Sequence, residues 1–184
     1  MSIIDENKQL KKESLLYSAY SLFTRNGINN TTISDITDTA GVAKGTFYLY
    51  FKDKSDIHKE LIKEKSNLLF NEAIISANNA LIKPFLDRLL YIMDFIINEL
   101  NNDKEFLKLI GKDLYLGLDN TDTVKELLYE FKKDYPNNKK PDIKLYMIIE
   151  LFSSSIYSVI LYEKPTNIDK YKNYLFNEIK KMLK

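Results

Sequence analysis

Hydrogen-bond donors are concentrated in one short stretch of the chain, at Lys44, Thr46, Tyr48 and Tyr50, directly after Gly41. Ammonium and hydroxyl groups of this kind contact phosphate oxygens and the edges of bases. The stretch contains no paired nucleophile and general base, so its residue types favour recognition of a polyanion over covalent chemistry. The elements that hold these donors decide whether such recognition is feasible.

Two short helices joined by a tight turn are predicted to hold the donors. A first amphipathic helix covers about residues 7–26, and Thr32 then caps a second helix with Asp35 at the capping-box position. Gly41 makes the turn, and residues 43–50 form a third helix. This is helix-turn-helix geometry, in which the third helix lies in the major groove of DNA.

The third helix has an outer face and an inner face. We expect Lys44 and Thr46 to point outward to base edges, while Phe47 and Phe51 pack inward. Gly45 lets the helix approach either DNA or the first helix closely. The pattern leaves two functions open for this glycine, a DNA contact or helix packing.

Further donors flank the third helix. Tyr48 and Tyr50 can donate to phosphate oxygens, and the alternative for Tyr48 is a core aromatic. Lys54 lies in the first turn of a long fourth helix that Asp53 can cap, where the free N–H groups also favour a phosphate. Thr32 can act in the same way at the start of the second helix.

Composition excludes several classes of protein. The 184 residues include no Cys and one His, so neither a thiolate site nor a histidine-rich metal site is expected, and no cofactor is expected. No phosphate loop or Ser-His pair at a suggestive spacing occurs, so we do not expect an enzyme. Neither a signal peptide nor an apolar run approaching a membrane span is evident, which predicts a cytoplasmic protein with no membrane partner. The net charge of +1 means that DNA affinity must come from a few placed groups.

The fold predicted from periodicity is all-α, with about nine helices and no strand. Beyond the fourth helix, which ends near residue 80, five more are expected, at residues 85–100, 103–116, 122–135, 142–162 and 169–184. We expect two domains. Residues 8–68 form the helix-turn-helix domain, and residues 69–184 form a second helical domain.

The first domain resembles the DNA-binding signature of the TetR/AcrR family of transcriptional regulators. The matching residues are Thr32, Ile36, the triplet Ala40-Gly41-Val42 and the run from Ala43 to Lys54. The resemblance implies DNA contacts by Thr32, Ser34, Lys44, Gly45, Thr46, Tyr48, Tyr50 and Lys54. The chain departs from the family pattern at Thr37, Ala43 and Leu49.

The resemblance also implies functions for the second domain. Family members dimerise through their last two helices, here about 142–162 and 169–184, and hold a small-molecule effector among the helices that follow the DNA-binding part. An apolar face suits such an interface, with Ile148, Ile149, Phe152, Ile156, Val159 and Ile160 on one helix and Tyr171, Tyr174, Leu175, Ile179 and Met182 on the other.

The expected function is that of a homodimeric repressor of transcription. It would bind double-stranded operator DNA and be released by a small molecule whose identity and contact residues the sequence does not indicate. The alternative is a TetR-like DNA-binding protein with a structural or division-control function and no ligand switch. Binding at many scattered sites with no effect on a neighbouring gene would favour that alternative.

Overall fold

A computed structural model describes residues 3–118 and 122–183 of the chain. Over these residues the fold is all-α, as predicted, with nine α-helices, one 3-10 helix at Leu114–Leu118 and no strand. The α-helices are α1 (Ile3–Asn26), α2 (Ile33–Ala40), α3 (Lys44–Phe47), α4 (Lys54–Asn79), α5 (Phe85–Asn102), α6 (Lys104–Ile110), α7 (Asp122–Asp134), α8 (Pro141–Tyr162) and α9 (Ile168–Leu183).

The chain divides into two compact units, Met1–Ile62 and Lys63–Lys184. Helix α4 begins in the first unit and ends in the second. The expected functional boundary between residues 68 and 69 also lies inside α4, and it stays a prediction.

The first unit packs α1, α2, α3 and the start of α4 around a small apolar core. Phe47 and Ile36 are fully buried, and so are Leu15 and Ala19 of α1. An ion pair between Lys12 and Glu60, with Nζ and Oε1 2.6 Å apart, joins α1 to α4. The predicted apolar faces of α1 and α2 therefore form a core that holds α3 at the surface.

The third helix is shorter than the sequence pattern indicates. It ends at Phe47 rather than at Tyr50, because the amides of Leu49 and Tyr50 donate to the carbonyls three residues earlier. Such bonds tighten the chain into a turn. Ala43 at the start makes no side-chain cap, as its residue type predicts.

In the second unit, the helix expected over residues 103–116 is interrupted. Asp103 caps α6 by accepting from the Phe106 amide, but the helix ends at Gly111, whose φ is +64°. The 3-10 helix follows, and its Gly117 packs directly against α4. A Cβ at Gly117 would lie 2.5 Å from the Cβ of Ser66, so this position requires a glycine.

Polar contacts link distant segments of the second unit. Arg88 on α5 is buried and pairs with Glu126 and Glu130 on α7 at 3.0 and 3.2 Å. Burial raises the pKa of the Glu130 carboxyl, although Arg88 opposes this shift. Asp134 accepts a bond of 2.7 Å from the amide of Phe85 and so caps the start of α5.

Helix α8 agrees with the long apolar helix expected over residues 142–162 and begins one residue earlier, at Pro141. Among the described residues it alone is long and apolar enough to cross a membrane by length and composition, which is weak evidence for a span. Its residues Leu145, Ile148, Phe152 and Ile156 are buried within the second unit. A core helix of this kind passes the same test.

Candidate DNA-binding site

The turn between α1 and α2 is built from threonines. Thr31 is buried, and its hydroxyl donates to the Gly27 carbonyl at 2.9 Å. Thr32 then caps α2, since its Oγ1 accepts from the Asp35 amide at 3.1 Å and its own amide donates to Asp35 Oδ2 at 2.8 Å. The predicted capping box is therefore present and fixes the start of α2.

The capping box also fixes the charge of Asp35. The amide of Thr32 and then its hydroxyl donate to the carboxylate, and these bonds lower the pKa of Asp35 below its ordinary value. Both polar groups of Thr32 are thus engaged within the chain. A phosphate contact by Thr32 would have to share or exchange these bonds, and that contact stays a prediction.

Gly41 makes the turn of the helix-turn-helix. Its φ of 67° and ψ of 32° are left-handed, and its amide donates to the Asp38 and Thr37 carbonyls at the end of α2. The Val42 amide bonds to the Thr37 carbonyl at 3.0 Å. A residue with a Cβ would strain this turn, so a glycine suits the position where the chain reverses into α3.

The aromatic side chains of α3 divide between core and surface. Phe47 is fully buried and Phe51 nearly so, with ring centroids 5.6 Å apart, which confirms the predicted inward positions. Tyr48 touches the edge of Phe47, but it is 54% exposed. Its hydroxyl end is therefore accessible to a partner outside the chain.

The residues predicted to read bases lie at the surface of the first unit. Lys44 and Gly45 are exposed, and Thr46 and Tyr50 are half-buried. A Cβ placed on Gly45 would meet nothing within 4 Å. Packing within the chain therefore does not require a glycine here. Ser34, on α2, is half-buried.

Lys54 has a different environment from the one expected. Its Nζ donates to the carbonyl of Ile28 at 2.6 Å and to that of Thr31 at 2.9 Å, both in the loop before α2. The ammonium group therefore ties the start of α4 to the segment that precedes Thr32. The predicted contact of Lys54 with a phosphate stays a prediction. These carbonyls determine where its ammonium group lies.

A groove beside α3 brings in residues that the sequence reasoning did not select. Asn7, Lys8 and Lys11 on α1 line it together with Leu49 and Tyr50. Leu49 is 79% exposed there. Only the spacing of Lys8 and Lys11, which places both on one side of α1, could have indicated this groove, because their proximity to Tyr50 depends on tertiary packing.

The second unit contains an apolar cavity of about 270 Å³ between α7, α8 and the 3-10 helix. A smaller, wholly apolar cavity of about 20 Å³ shares Leu118 and Ile149 with it. Pockets for small molecules are typically apolar with a few polar groups. The lining of the larger cavity is Tyr115, Leu118, Val124, Leu128, Asp142, Leu145, Tyr146, Ile149 and Glu150.

The apolar face assigned to dimerisation on α8 is largely internal. Ile148, Phe152, Ile156, Val159 and Ile160 are buried within the unit, so that assignment was wrong for these side chains. A different stripe of α8 is exposed. It consists of Ile143, Met147, Leu151 and Tyr162.

His58 is the single histidine of the chain. Its ring lies edge-on to Phe23 with centroids 5.7 Å apart, and no cluster of metal-ligating side chains occurs among the described residues.

The geometry of α2, Gly41 and α3 is that of a helix-turn-helix. Residues 15–61 match the family model of bacterial regulatory proteins, tetR family. An HTH-type transcriptional regulator of Staphylococcus aureus (strain USA300) is 26% identical over 186 aligned positions, covering 94% of this chain and 91% of the relative. The helix-turn-helix part of this chain therefore matches the part of the tetR family that the family model describes.

A second relative is more similar over a shorter span. The fatty acid metabolism regulator protein of Bacillus subtilis (strain 168) is 42% identical over 60 residues, which is 33% of this chain and 31% of that protein. This chain therefore matches less than two thirds of the relative's length.

Solved structures of regulators share the fold. FadR of Thermus thermophilus, a TetR-family repressor in complex with lauroyl-CoA, has a TM-score of 0.68 at 16% identity and covers 94% of this chain and 92% of its own. FadR of Bacillus subtilis in complex with stearoyl-CoA has a TM-score of 0.61 at 17% identity, with coverages of 91% and 96%. These likenesses show the two-part helical fold.

Proposed function

We propose that the chain is a cytoplasmic, homodimeric repressor that binds operator DNA and leaves it when a small molecule binds the second unit. The observation that supports DNA binding is the exposed surface of α3. The capped helix α2 and the left-handed turn at Gly41 hold α3 in this position. Its relatives are regulators of transcription, and we propose no enzymatic activity.

Lys44 and Thr46 are the proposed base-reading residues. Lys44 is exposed at the start of α3, the end of a recognition helix that meets base edges. Gly45 beside it has open space, so the backbone of α3 can approach DNA closely. Ser34 on α2 reaches either a base or a phosphate in this proposal.

Phosphate contacts hold the helix in register. We assign them to the hydroxyls of Tyr48 and Tyr50, and add Lys8 and Lys11, which line the same groove as Tyr50. Among the described residues neither lysine has a carboxylate partner within ion-pair distance. Two more positive charges beside α3 would supply affinity that the net charge of +1 does not.

Lys54 and Thr32 act mainly on the position of α2 in this proposal. The Lys54 ammonium group holds the carbonyls before Thr32, and Thr32 holds the first turn of α2. A DNA phosphate can approach both residues from outside. Their first effect is to keep α2, and through Gly41 also α3, in place.

Dimerisation is proposed through α8 and α9. The exposed apolar residues Ile143, Met147, Leu151 and Tyr162 form a stripe on α8, and Tyr174 on α9 is 74% exposed. Continuous exposed apolar surface marks association sites in soluble proteins. A two-fold dimer would place two copies of α3 on half-sites about 34–36 Å apart or multiples of that spacing.

The ligand switch is proposed to operate through the cavity of the second unit. Two structural neighbours were solved with acyl-CoA ligands, and the cavity here is lined mostly by apolar side chains. A ligand that prefers one conformer of the dimer shifts the population toward it and weakens DNA binding if that conformer fits the operator less well. Helix α4, shared by both units, is the proposed connection.

DNA binding with Lys44→Ala tests the proposal. The substitution should reduce the ratio of specific to non-specific affinity by roughly 10- to 100-fold, because a base contact contributes about 1–3 kcal/mol of discrimination. Fluorescence anisotropy on fragments from upstream of the protein's own gene and on scrambled DNA measures the ratio. Lys52→Ala removes an exposed lysine outside the proposed set and is the matched control.

The salt dependence of the same titrations separates the other contacts. Lys8→Ala and Lys11→Ala should weaken both DNAs alike, each lowering the salt slope by about one per subunit. Equal losses on both DNAs for Lys44→Ala would contradict its assignment as a base-reading residue.

A further inference from the structure

Two carboxylates border the cavity of the second unit along one side of α8. Asp142, Tyr146 and Glu150 follow each other at intervals of four residues, so they lie in one row of the helix, and all three line the cavity. Among the described residues neither carboxylate pairs with a basic side chain. No Lys, Arg or His is among the described residues that line it.

The two carboxylates are not equivalent. Asp142 lies in the first turn of α8, where the free N–H groups of a helix end favour a negative charge without any ligand. Glu150 lies in the middle of the helix and receives no such compensation. It is half-buried beside apolar surface, where a charge is less well solvated than in water. Of the two carboxylates, Glu150 therefore indicates a positively charged ligand more strongly.

Aromatic side chains and apolar surface complete the cavity. Tyr146 lies between the two carboxylates in the row, and Tyr115 lines the cavity from the 3-10 helix. A cavity of 150 Å³ can hold benzene, so about 270 Å³ accommodates on the order of ten carbon atoms. The remaining lining residues are aliphatic, and they are Leu118, Val124, Leu128, Leu145 and Ile149.

We propose that this cavity binds a ligand with an apolar body and a cationic head group, such as a quaternary or protonated amine. The inference rests on the proposed function, in which the second unit binds an effector. Carboxylates attract the cation, and the faces of tyrosine rings attract it further. The same carboxylates repel a carboxylate or a phosphate, so the cavity disfavours an anionic acyl compound.

Three probes with the same chain length test the charge preference. Decyltrimethylammonium, decanol and decanoate are titrated below their micellar concentrations into the full-length protein, and binding is followed by isothermal calorimetry. We expect the cation to bind at least tenfold more tightly than decanoate, with decanol between them. Tighter binding of decanoate, or of decanoyl-CoA, would overturn the inference.

Charge-neutralising variants test whether these carboxylates are responsible. Glu150→Gln should lower the affinity for decyltrimethylammonium about tenfold, and Asp142→Asn should have a smaller effect. Decanol binding should change by less than twofold. Glu99→Gln removes an exposed carboxylate of α5 outside the cavity and is the matched control. A cation preference unchanged in the Asp142→Asn/Glu150→Gln double variant would contradict the assignment.

DNA release distinguishes this inference from the proposed function. If the cation binds in the cavity and leaves operator affinity unchanged, the charge preference stands and the effector function of the cavity fails for this ligand. If only anionic ligands release the operator, the switch stands and the charge inference fails.

Discussion

Two glycines show how differently the two units use the absence of a side chain. At Gly117 in the second unit, the space that a side chain would need is already occupied by α4, since a Cβ there would lie 2.6 Å from the backbone of Asn67. Gly45 in the first unit faces open space. Packing within the chain therefore explains the glycine of the second unit, whereas the glycine of α3 leaves space at the surface for a binding partner.

The same contrast extends to neighbouring side chains. Phe47 is fully buried beneath α3, whereas Tyr48 and Leu49 next to it are more than half exposed. A fold rarely gains from exposing several large side chains together, and such surfaces often mark binding sites. The first unit therefore combines a small, tightly held core with a surface that its own packing does not explain.

The largest expected effect comes from the core beneath α3. Phe47→Ala should lower the free energy of unfolding by about 3–5 kcal/mol, because it leaves a cavity under the helix. Leu49→Ala, two residues away and exposed, should change it by less than about 0.5 kcal/mol. Urea denaturation followed by circular dichroism measures both, and similar losses would contradict the division between core and surface.

Substitutions of the two glycines should have effects of intermediate size, and they should affect different properties of the protein. Gly117→Ala should destabilise the protein by about 1–3 kcal/mol, because the new methyl group meets the backbone of α4. Gly45→Ala should leave stability equal or slightly higher, since alanine favours a helix, while weakening DNA binding. Thermal unfolding and anisotropy titrations separate the two outcomes. A destabilised Gly45→Ala protein would show that this glycine serves packing.

The smallest effect is expected at the cap of α2. Thr32→Ala should cost about 1 kcal/mol at neutral pH, a typical value for a lost N-cap, whereas Thr39→Ala on the exposed part of α2 should cost less. The pKa of Asp35 is lowered by its bonds to Thr32, so the stabilisation is present above the ordinary value of 3.8 and is lost as the pH falls through the lower, folded-state value. Unfolding at a series of pH values should show the unaltered protein and an Asp35→Ala variant converging in acid, and a constant difference between these two would contradict this origin. The Thr32→Ala difference should shrink less, because the amide of residue 32 still donates to Asp35 and the lost bond from the Asp35 amide does not depend on the charge of the carboxylate.

The elements that sequence predicted well are those with local causes. Thr32 with Asp35, and Gly41 in its left-handed turn, act through bonds to near neighbours, so residue type and spacing were sufficient. The burial of Phe47 and Phe51 followed from helical periodicity in the same way. The contacts of Lys54 could not be predicted, because the carbonyls that it holds lie more than twenty residues earlier in the sequence.

Prediction was weaker wherever packing between distant segments decides the structure. The helix expected over residues 103–116 ends at Gly111, and Gly117 proves to be a packing position instead of a helix stop. Several apolar residues of α8 that were assigned to the dimer interface are core residues. The sequence could not show this, because helical periodicity identifies an apolar face but not whether that face packs within the chain or against a second copy. The cavity residues on α7 and α8 likewise meet only through the tertiary fold.

Selection of DNA from a random-sequence pool by the purified full-length protein tests the central claim most directly. The account predicts enrichment of a two-fold symmetric sequence whose half-sites are separated by about 34–36 Å or a multiple of that spacing. The Lys44→Ala protein should lose the preference at specific positions of that sequence. Recovery of no preferred sequence by the unaltered protein, at salt concentrations that still permit DNA binding, would contradict the assignment of α3 as a recognition helix.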